Sequence, residues 1–238
     1  MTASKPSASK DRIAVALDLA DLDDALRLAE RVAPFVGVFK VGLELFVRFG
    51  PNAVERVRQV TNGGRVFLDL KLHDIPETVE RAVASARASG ASLLTVHASG
   101  GRAMLEAASR AAGDELRLLA VTVLTSLDAS DLRDTGVERP VEAQAEGLFD
   151  LAWAAGVRGF VTSTHEAPRL RTRQAGAYLV TPGIRPSGSS AGDQKRIATP
   201  AAAVAAGADL LVIGRPIRDA ADPAEAASAI CRELDNAT

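Results

Sequence analysis

Two acids and a lysine stand within six residues of an otherwise apolar run, Val66-Phe67-Leu68-Asp69-Leu70-Lys71-Leu72-His73-Asp74-Ile75-Pro76. Ionised groups in a segment built for burial are costly unless they neutralise one another or meet a charged ligand. Taken as a strand, the run sends Leu68, Leu70 and Leu72 one way and Phe67, Asp69 and Lys71 the other. One face is apolar. The other ends in an ion pair, and Asp74 adds a second negative charge just beyond it. A structural account exists for each group alone: Asp74 as a helix-entry residue ahead of Pro76 and Glu77, and Asp69 with Lys71 as a packing ion pair. Three such charges at one strand end and its following turn point instead to an electrostatic site.

The elements that must position these groups recur along the chain. Short β-like runs cover residues 13–19, 38–43, 66–72, 93–98, 116–124, 159–164, 178–181 and 209–214. Stretches with helical spacing of apolar residues lie between them, at 22–32, 78–88, 103–111, 141–155 and 199–206. Gly90, Gly156 and Gly207 stand where left-handed helix caps are expected. Eight strands alternating with helices in 238 residues fit a single (β/α)8 TIM barrel, an α/β fold, over 12–238 better than an open doubly wound sheet, which periodicity alone does not exclude. In such a barrel the chemistry gathers at the C-terminal strand ends. There the polar residues fall: Asp18 closing the first strand, Lys40 in the second, Asp69 and Lys71 ending the third, His97 ending the fourth and Thr125 ending the fifth. Arg185 follows the seventh strand and Gly214 with Arg215 the eighth. Phosphate sites are often built after strands seven and eight, so Gly214-Arg215-Pro216, with Arg185 and Gln194 across the Gly-Ser-rich 187–192 loop, predicts an anion pocket under a mobile flap. His97 alone reads equally well as a hydrogen-bonded core histidine.

Composition narrows the function classes. Hydrophobic residues make up 47% of the chain, enough for a substantial core. A formal charge of -2 with only 4% aromatics gives no support to a nucleic-acid groove. No apolar run approaches the roughly 18 residues of a membrane span. The single cysteine, Cys231, can make no intrachain disulfide. Residues 1–11 are polar and lack a hydrophobic signal core, and are expected to be a disordered N-terminal extension. No Rossmann or P-loop glycine pattern is present. The expectation is a cytoplasmic enzyme acting on a small phosphorylated metabolite, with no nucleic-acid or membrane partner.

The chain resembles the orotidine 5'-phosphate decarboxylase family from about residue 13 to 234. The motifs that carry the resemblance are Ala16-Leu17-Asp18, Lys40-Val41-Gly42-Leu43-Glu44, the Asp69 to Pro76 run, Val121-Thr122-Val123-Leu124-Thr125-Ser126, Thr181-Pro182-Gly183-Ile184-Arg185-Pro186, Asp193-Gln194-Lys195-Arg196 and Ile213-Gly214-Arg215-Pro216. The Asp-x-Lys-x-x-Asp core is shared with sugar-phosphate relatives; the Pro-Gly-Ile-Arg loop with Asp-Gln-Lys-Arg is more specific. Glu77 departs from the asparagine that many bacterial relatives carry. The resemblance implies decarboxylation of orotidine 5'-phosphate to uridine 5'-phosphate (UMP), the last step of de novo pyrimidine synthesis, without metal or cofactor. It implies a catalytic array of Lys40, Asp69, Lys71 and Asp74, in which Lys71 is the proton donor. It implies substrate contacts from Asp18, Lys40, Asp69, Thr78, Thr125, Arg185, Gln194, Gly214 and Arg215. It further implies a homodimer in which Asp74 crosses the interface. The alternative is a Mg2+-dependent sugar-phosphate decarboxylase or aldolase of the same superfamily.

Overall fold

The structure, a computed structural model, describes residues 9–186 and 198–236. Eight parallel strands close on one another in sequence order: β1 (Ile13–Ala16), β2 (Val38–Gly42), β3 (Arg65–Leu72), β4 (Leu93–His97), β5 (Arg117–Val121), β6 (Gly159–Val161), β7 (Tyr178–Thr181) and β8 (Leu210–Ile213). β8 returns to β1 through Ile13↔Leu211 and Val15↔Ile213, so no strand edge is left open. This is the (β/α)8 barrel expected from the alternation of runs. Gly90, Gly156 and Gly207 take positive φ values of 84°, 95° and 102°, as their helix-terminal places required.

Two apolar layers follow from the strand period of two. Ala14, Val38, Phe67, Leu119, Val180 and Leu210 fill the barrel interior. Their neighbours, such as Val15, Phe39, Leu68, Leu94 and Leu211, face the helices. The helix Leu22–Val32 shows how the outer layer is made. Asp21 caps it by accepting from the Asp24 N–H, and Leu22, Ala25, Leu26, Ala29 and Val32 form one buried stripe at helical spacing.

Six of the eight strands are shorter than the runs that announced them. Residues 13–19 contribute only Ile13–Ala16, and 116–124 only Arg117–Val121. Leu17 still donates its N–H to Lys40 O at 2.9 Å, after which the chain turns outward at Asp18 to frame the mouth. Apolar residues continue past the strand ends because the mouth itself has apolar walls. Two helices after β2, Leu43–Phe49 and Pro51–Val60, were not expected; the first starts directly at the strand end and Gly50 (φ 57°) breaks it from the second. At the N-terminus, Ser9–Arg12 form a 3-10 turn inside the stretch expected to be a disordered extension. The turn is held because Ser9 Oγ donates to Asp235, Gly37 N–H to Lys10 O and Arg65 to Asp11 O.

β3 alone breaks the barrel register. Its pairing with β4 runs Phe67↔Leu93 and Leu68↔Leu94, then resumes at Leu72↔Val96, so four residues of β3 advance where β4 uses two. Lys71 sits in that bulge with φ 50°, a left-handed conformation that costs a non-glycine residue about 1–2 kcal/mol.

The strands that carry the anion loops are tied from below. Arg171, on the helix Ala167–Arg173, donates to Ala175 O, Ala177 O, Gly207 O and Asp209 Oδ2 at 2.6–2.8 Å, and Asp209 Oδ2 also accepts the Leu179 N–H. One guanidinium thus fixes the starts of β7 and β8. Arg171→Met should lower the free energy of unfolding by about 2–4 kcal/mol, since it strands a half-buried carboxylate and three carbonyls. Denaturant melts read this directly, and unchanged melts would show the tie to be incidental.

Candidate active site

A cavity of about 470 Å³ opens at the C-terminal mouth of the barrel. Phe67, Val180 and Val212 give it an apolar floor, and charged side chains ring its wall. Asp18, Lys40, Asp69 and Lys71 line one end. Arg185, Gly214 and Arg215 line the other, and Thr125 stands between on the loop after β5.

At the first end the charges alternate in sign. Lys40 Nζ donates to Asp18 Oδ1 at 2.9 Å and lies 3.5 Å from Asp69 Oδ2; Lys71 Nζ donates to Asp69 Oδ1 at 2.7 Å. Exposure rises outward along this chain, from 9% for the Lys40 side chain and 16% for Asp69 to 30% for Lys71 and 48% for Asp18. Burial pushes the Asp69 carboxyl up, but the Lys40 and Lys71 ammoniums and hydrogen bonds from Lys71 and Thr95 outweigh it and hold the group below the usual carboxylate range. Asp69 is therefore ionised, and both ammoniums are anchored on it. Gly42 makes the crowding possible: a Cβ there would lie 2.8 Å from Asp18 Oδ1 and 3.2 Å from Lys40 Nζ.

Two of the residues named with the array lie elsewhere. Asp74 is exposed, its Oδ1 accepts the Ile75 N–H at 2.6 Å, and it is not part of the cavity wall of its own chain. Thr78 is likewise exposed on the helix Pro76–Ala88. Glu77, the departure from the family pattern, pairs with Arg81 one turn along the same helix. Gln194, its neighbours Asp193, Lys195 and Arg196, and the 187–192 loop lie outside the described residues. His97 is half-buried and packs its ring on His73 at a centroid distance of 5.5 Å. Burial, with His73 and Lys71 adding to it, pushes the His97 imidazole below its ordinary value, so it is neutral near pH 7.

The loops after β7 and β8 bring arginines to the same cavity. Arg185 is buried after β7, and Arg215 opens the four-residue helix Arg215–Arg218 directly after Gly214. So short a helix carries little dipole; the guanidinium groups supply the field. Two further residues belong to the site and were not anticipated. Arg218 lines the cavity, donating to Asp18 O at 2.8 Å and pairing with Asp219 at 2.6 Å, so it joins the β8 loop to the β1 loop. Thr95, fully buried on β4, donates to Asp69 Oδ1 at 3.0 Å and accepts the Lys71 N–H at 2.9 Å. In sequence, an arginine past a turn and a threonine within a β-run carry no signal beyond surface charge and strand preference.

The arrangement can hold an anion at one end of an apolar slot and present a fixed ammonium beside a fixed carboxylate at the other. Residues 11–230 match the family described as Orotidine 5'-phosphate decarboxylase / HUMPS family. A protein from Anaeromyxobacter sp. (strain K) named orotidine 5'-phosphate decarboxylase is 55% identical over 231 residues, covering 97% of this chain and all of that one. Its counterpart from Moorella thermoacetica is 48% identical, with 95% and 93% covered. The crystal structure of orotidine 5'-phosphate decarboxylase from Lactobacillus acidophilus superposes with a TM-score of 0.83 at 33% identity, covering 98% of this chain and all of that one. The protein with these charges at its barrel mouth belongs to the orotidine 5'-phosphate decarboxylase / HUMPS family.

Proposed function

We propose that the chain decarboxylates orotidine 5'-phosphate to UMP in pyrimidine biosynthesis with Lys71 as the proton donor, Asp69 facing the departing carboxylate, and the base held between a phosphate clamp and the charge array. The observation that carries the assignment is Lys71 Nζ anchored 2.7 Å from an ionised Asp69 at the mouth of an apolar slot. Breaking the C6–carboxylate bond leaves the electron pair on C6 with little delocalisation. A cation already in place meets that charge without reorganisation, and its proton passes to C6 as CO2 leaves. At an effective dielectric of about 20, a unit charge about 4 Å away is worth about 4 kcal/mol, or about 10³-fold in rate.

Asp18 and Lys40 suit the ribose hydroxyls, Thr125 the pyrimidine, and Arg185, Gln194, Gly214 and Arg215 the phosphate. Asp69 has two ammoniums against it, which makes it a poor ligand for a divalent cation. A Mg2+-dependent sugar-phosphate reaction is for that reason the weaker assignment, and full turnover in excess EDTA is expected. The dimer is part of the same proposal. Leu43, Val47 and Ile75 are the large apolar side chains left exposed among the described residues, the first two on the helix after β2 and the third on the turn after the adjacent β3. A second copy packed there would cover them and bring its Asp74 and Thr78 to this mouth.

Three outcomes test the assignment. Lys71→Ala should fold and bind UMP yet lose more than about 10³-fold in turnover, followed as the ultraviolet absorbance lost from orotidine 5'-phosphate. Arg215→Ala should cost about 3 kcal/mol in kcat/KM, a penalty that shrinks on orotidine lacking the phosphate; equal penalties on both substrates would take Arg215 out of the phosphate site. Mixing the inactive Lys71→Ala and Asp74→Ala proteins under subunit exchange should restore activity. About half the dimers become mixed, each with one intact site, so recovery approaches about one quarter per site. Exchange without recovery would confine Asp74 to its own chain's site.

A further inference from the structure

We propose that Thr95 is a positioning residue for the proton donor, its one hydroxyl locking the backbone and the side chain of Lys71 onto the same carboxylate. Lys71 N–H donates to Thr95 Oγ1 at 2.9 Å, Thr95 Oγ1 donates to Asp69 Oδ1 at 3.0 Å, and Asp69 Oδ1 accepts from Lys71 Nζ at 2.7 Å. The chain of contacts leaves Lys71 through its backbone and returns through its side chain. The ammonium is thereby fixed with respect to its own peptide plane as well as to its partner.

The geometry of β3 shows what this ring holds in place. In an unbroken parallel ladder the N–H groups of β3 donate to carbonyls of the neighbouring strand. At the bulge the Lys71 N–H goes to a side chain of β4 instead, and Lys71 adopts φ 50°. A left-handed lysine persists only where its surroundings over-determine it. Thr95 meets that requirement because it is fully buried, out of reach of water, and its branched Cβ restricts χ1. The alternative acceptor for its proton, Leu68 O, is at 3.5 Å, so the shorter bond to Asp69 Oδ1 is the stronger one. Removing the hydroxyl leaves the Lys71 N–H without its acceptor and Asp69 Oδ1 without one donor, and β3 gains by relaxing toward regular pairing. That relaxation carries Nζ away from the slot.

The proposal rests on Lys71 being the proton donor, and three variants separate the two ideas. Thr95→Ser and Thr95→Ala lose the same methyl group, but only serine keeps the hydroxyl; Thr95→Val keeps the shape without it. With the purified full chain, Thr95→Val and Thr95→Ala should lose about 10- to 100-fold in kcat on orotidine 5'-phosphate, the scale of a misplacement of about 1 Å, while UMP affinity stays within about threefold. Thr95→Ser should keep kcat within about threefold of the parent. Should the valine protein fail to fold, the serine and alanine pair still isolates the hydroxyl. Equal kcat for serine and alanine, or parental kcat for valine beside an inactive Lys71→Ala, overturns the positioning role alone. An active Lys71→Ala protein removes the proton donor, and this proposal with it.

Discussion

A carboxylate that is five-sixths buried stays ionised at the barrel mouth because two ammoniums and a threonine hydroxyl converge on it. Desolvation of Asp69 is the largest single influence on its protonation and acts against the charge; the combined opposing contacts exceed it. Lys71 is held by Asp69 and Lys40 by Asp69 together with Asp18, while without the two ammoniums burial would push the Asp69 carboxyl up. The array is thus a unit in which each charge is the condition for its neighbours. Its members come from β2, β3 and the loop after β1, so the strand order of the barrel is what brings them within 3.5 Å.

The scaffold meets this demand with small local concessions. Gly42 gives up a side chain so that Asp18 and Lys40 can approach, and β3 gives up regular pairing with β4 over the residues that carry the chemistry. The rest of the wall is conservative: an inner apolar layer from which Phe67 reaches the cavity, and an outer layer of helices packed by ordinary stripes. Structural ties such as Arg171–Asp209, below β7 and β8, lie away from the mouth. That division lets the mouth hold strain at Lys71 without loosening the barrel.

The strand runs and the charge run were legible because burial in a barrel imposes a period of two and leaves ionisable groups only where they are compensated. Strand ends were not legible, since Val123 is apolar where it lines the mouth and Leu17 where it packs in the outer core, both past the last paired residue. Nor was the helix Leu43–Phe49, whose exposed Leu43 and Val47 blur the helical stripe. Thr95 escaped notice because its β-branched side chain already explains its presence in a strand; only the register shift discloses that its hydroxyl replaces a ladder acceptor. Arg218 escaped for a similar reason, its contact being to a backbone carbonyl 200 residues away. On the proposed assignment Asp74 would take its place from a second chain, which local spacing cannot encode.

The array and the arginines do different work, and on the proposed assignment this division drives the reaction. Asp18, Lys40, Asp69 and Lys71 alternate in sign, and the guanidinium groups of Arg185 and Arg215 line the same cavity from the loops after β7 and β8. A substrate with a dianionic phosphate and a carboxylate is held by its remote charge, while its carboxylate meets a neutral array whose nearest anion is Asp69. A partner's Asp74 would make that array negative. Loss of CO2 removes the one substrate charge that the array does not accommodate and places the new charge on C6, beside Lys71. Binding energy gathered at the arginines is in this way converted into lower activation energy at the lysine, and the same asymmetry lets UMP leave without a charge to hold it at the array.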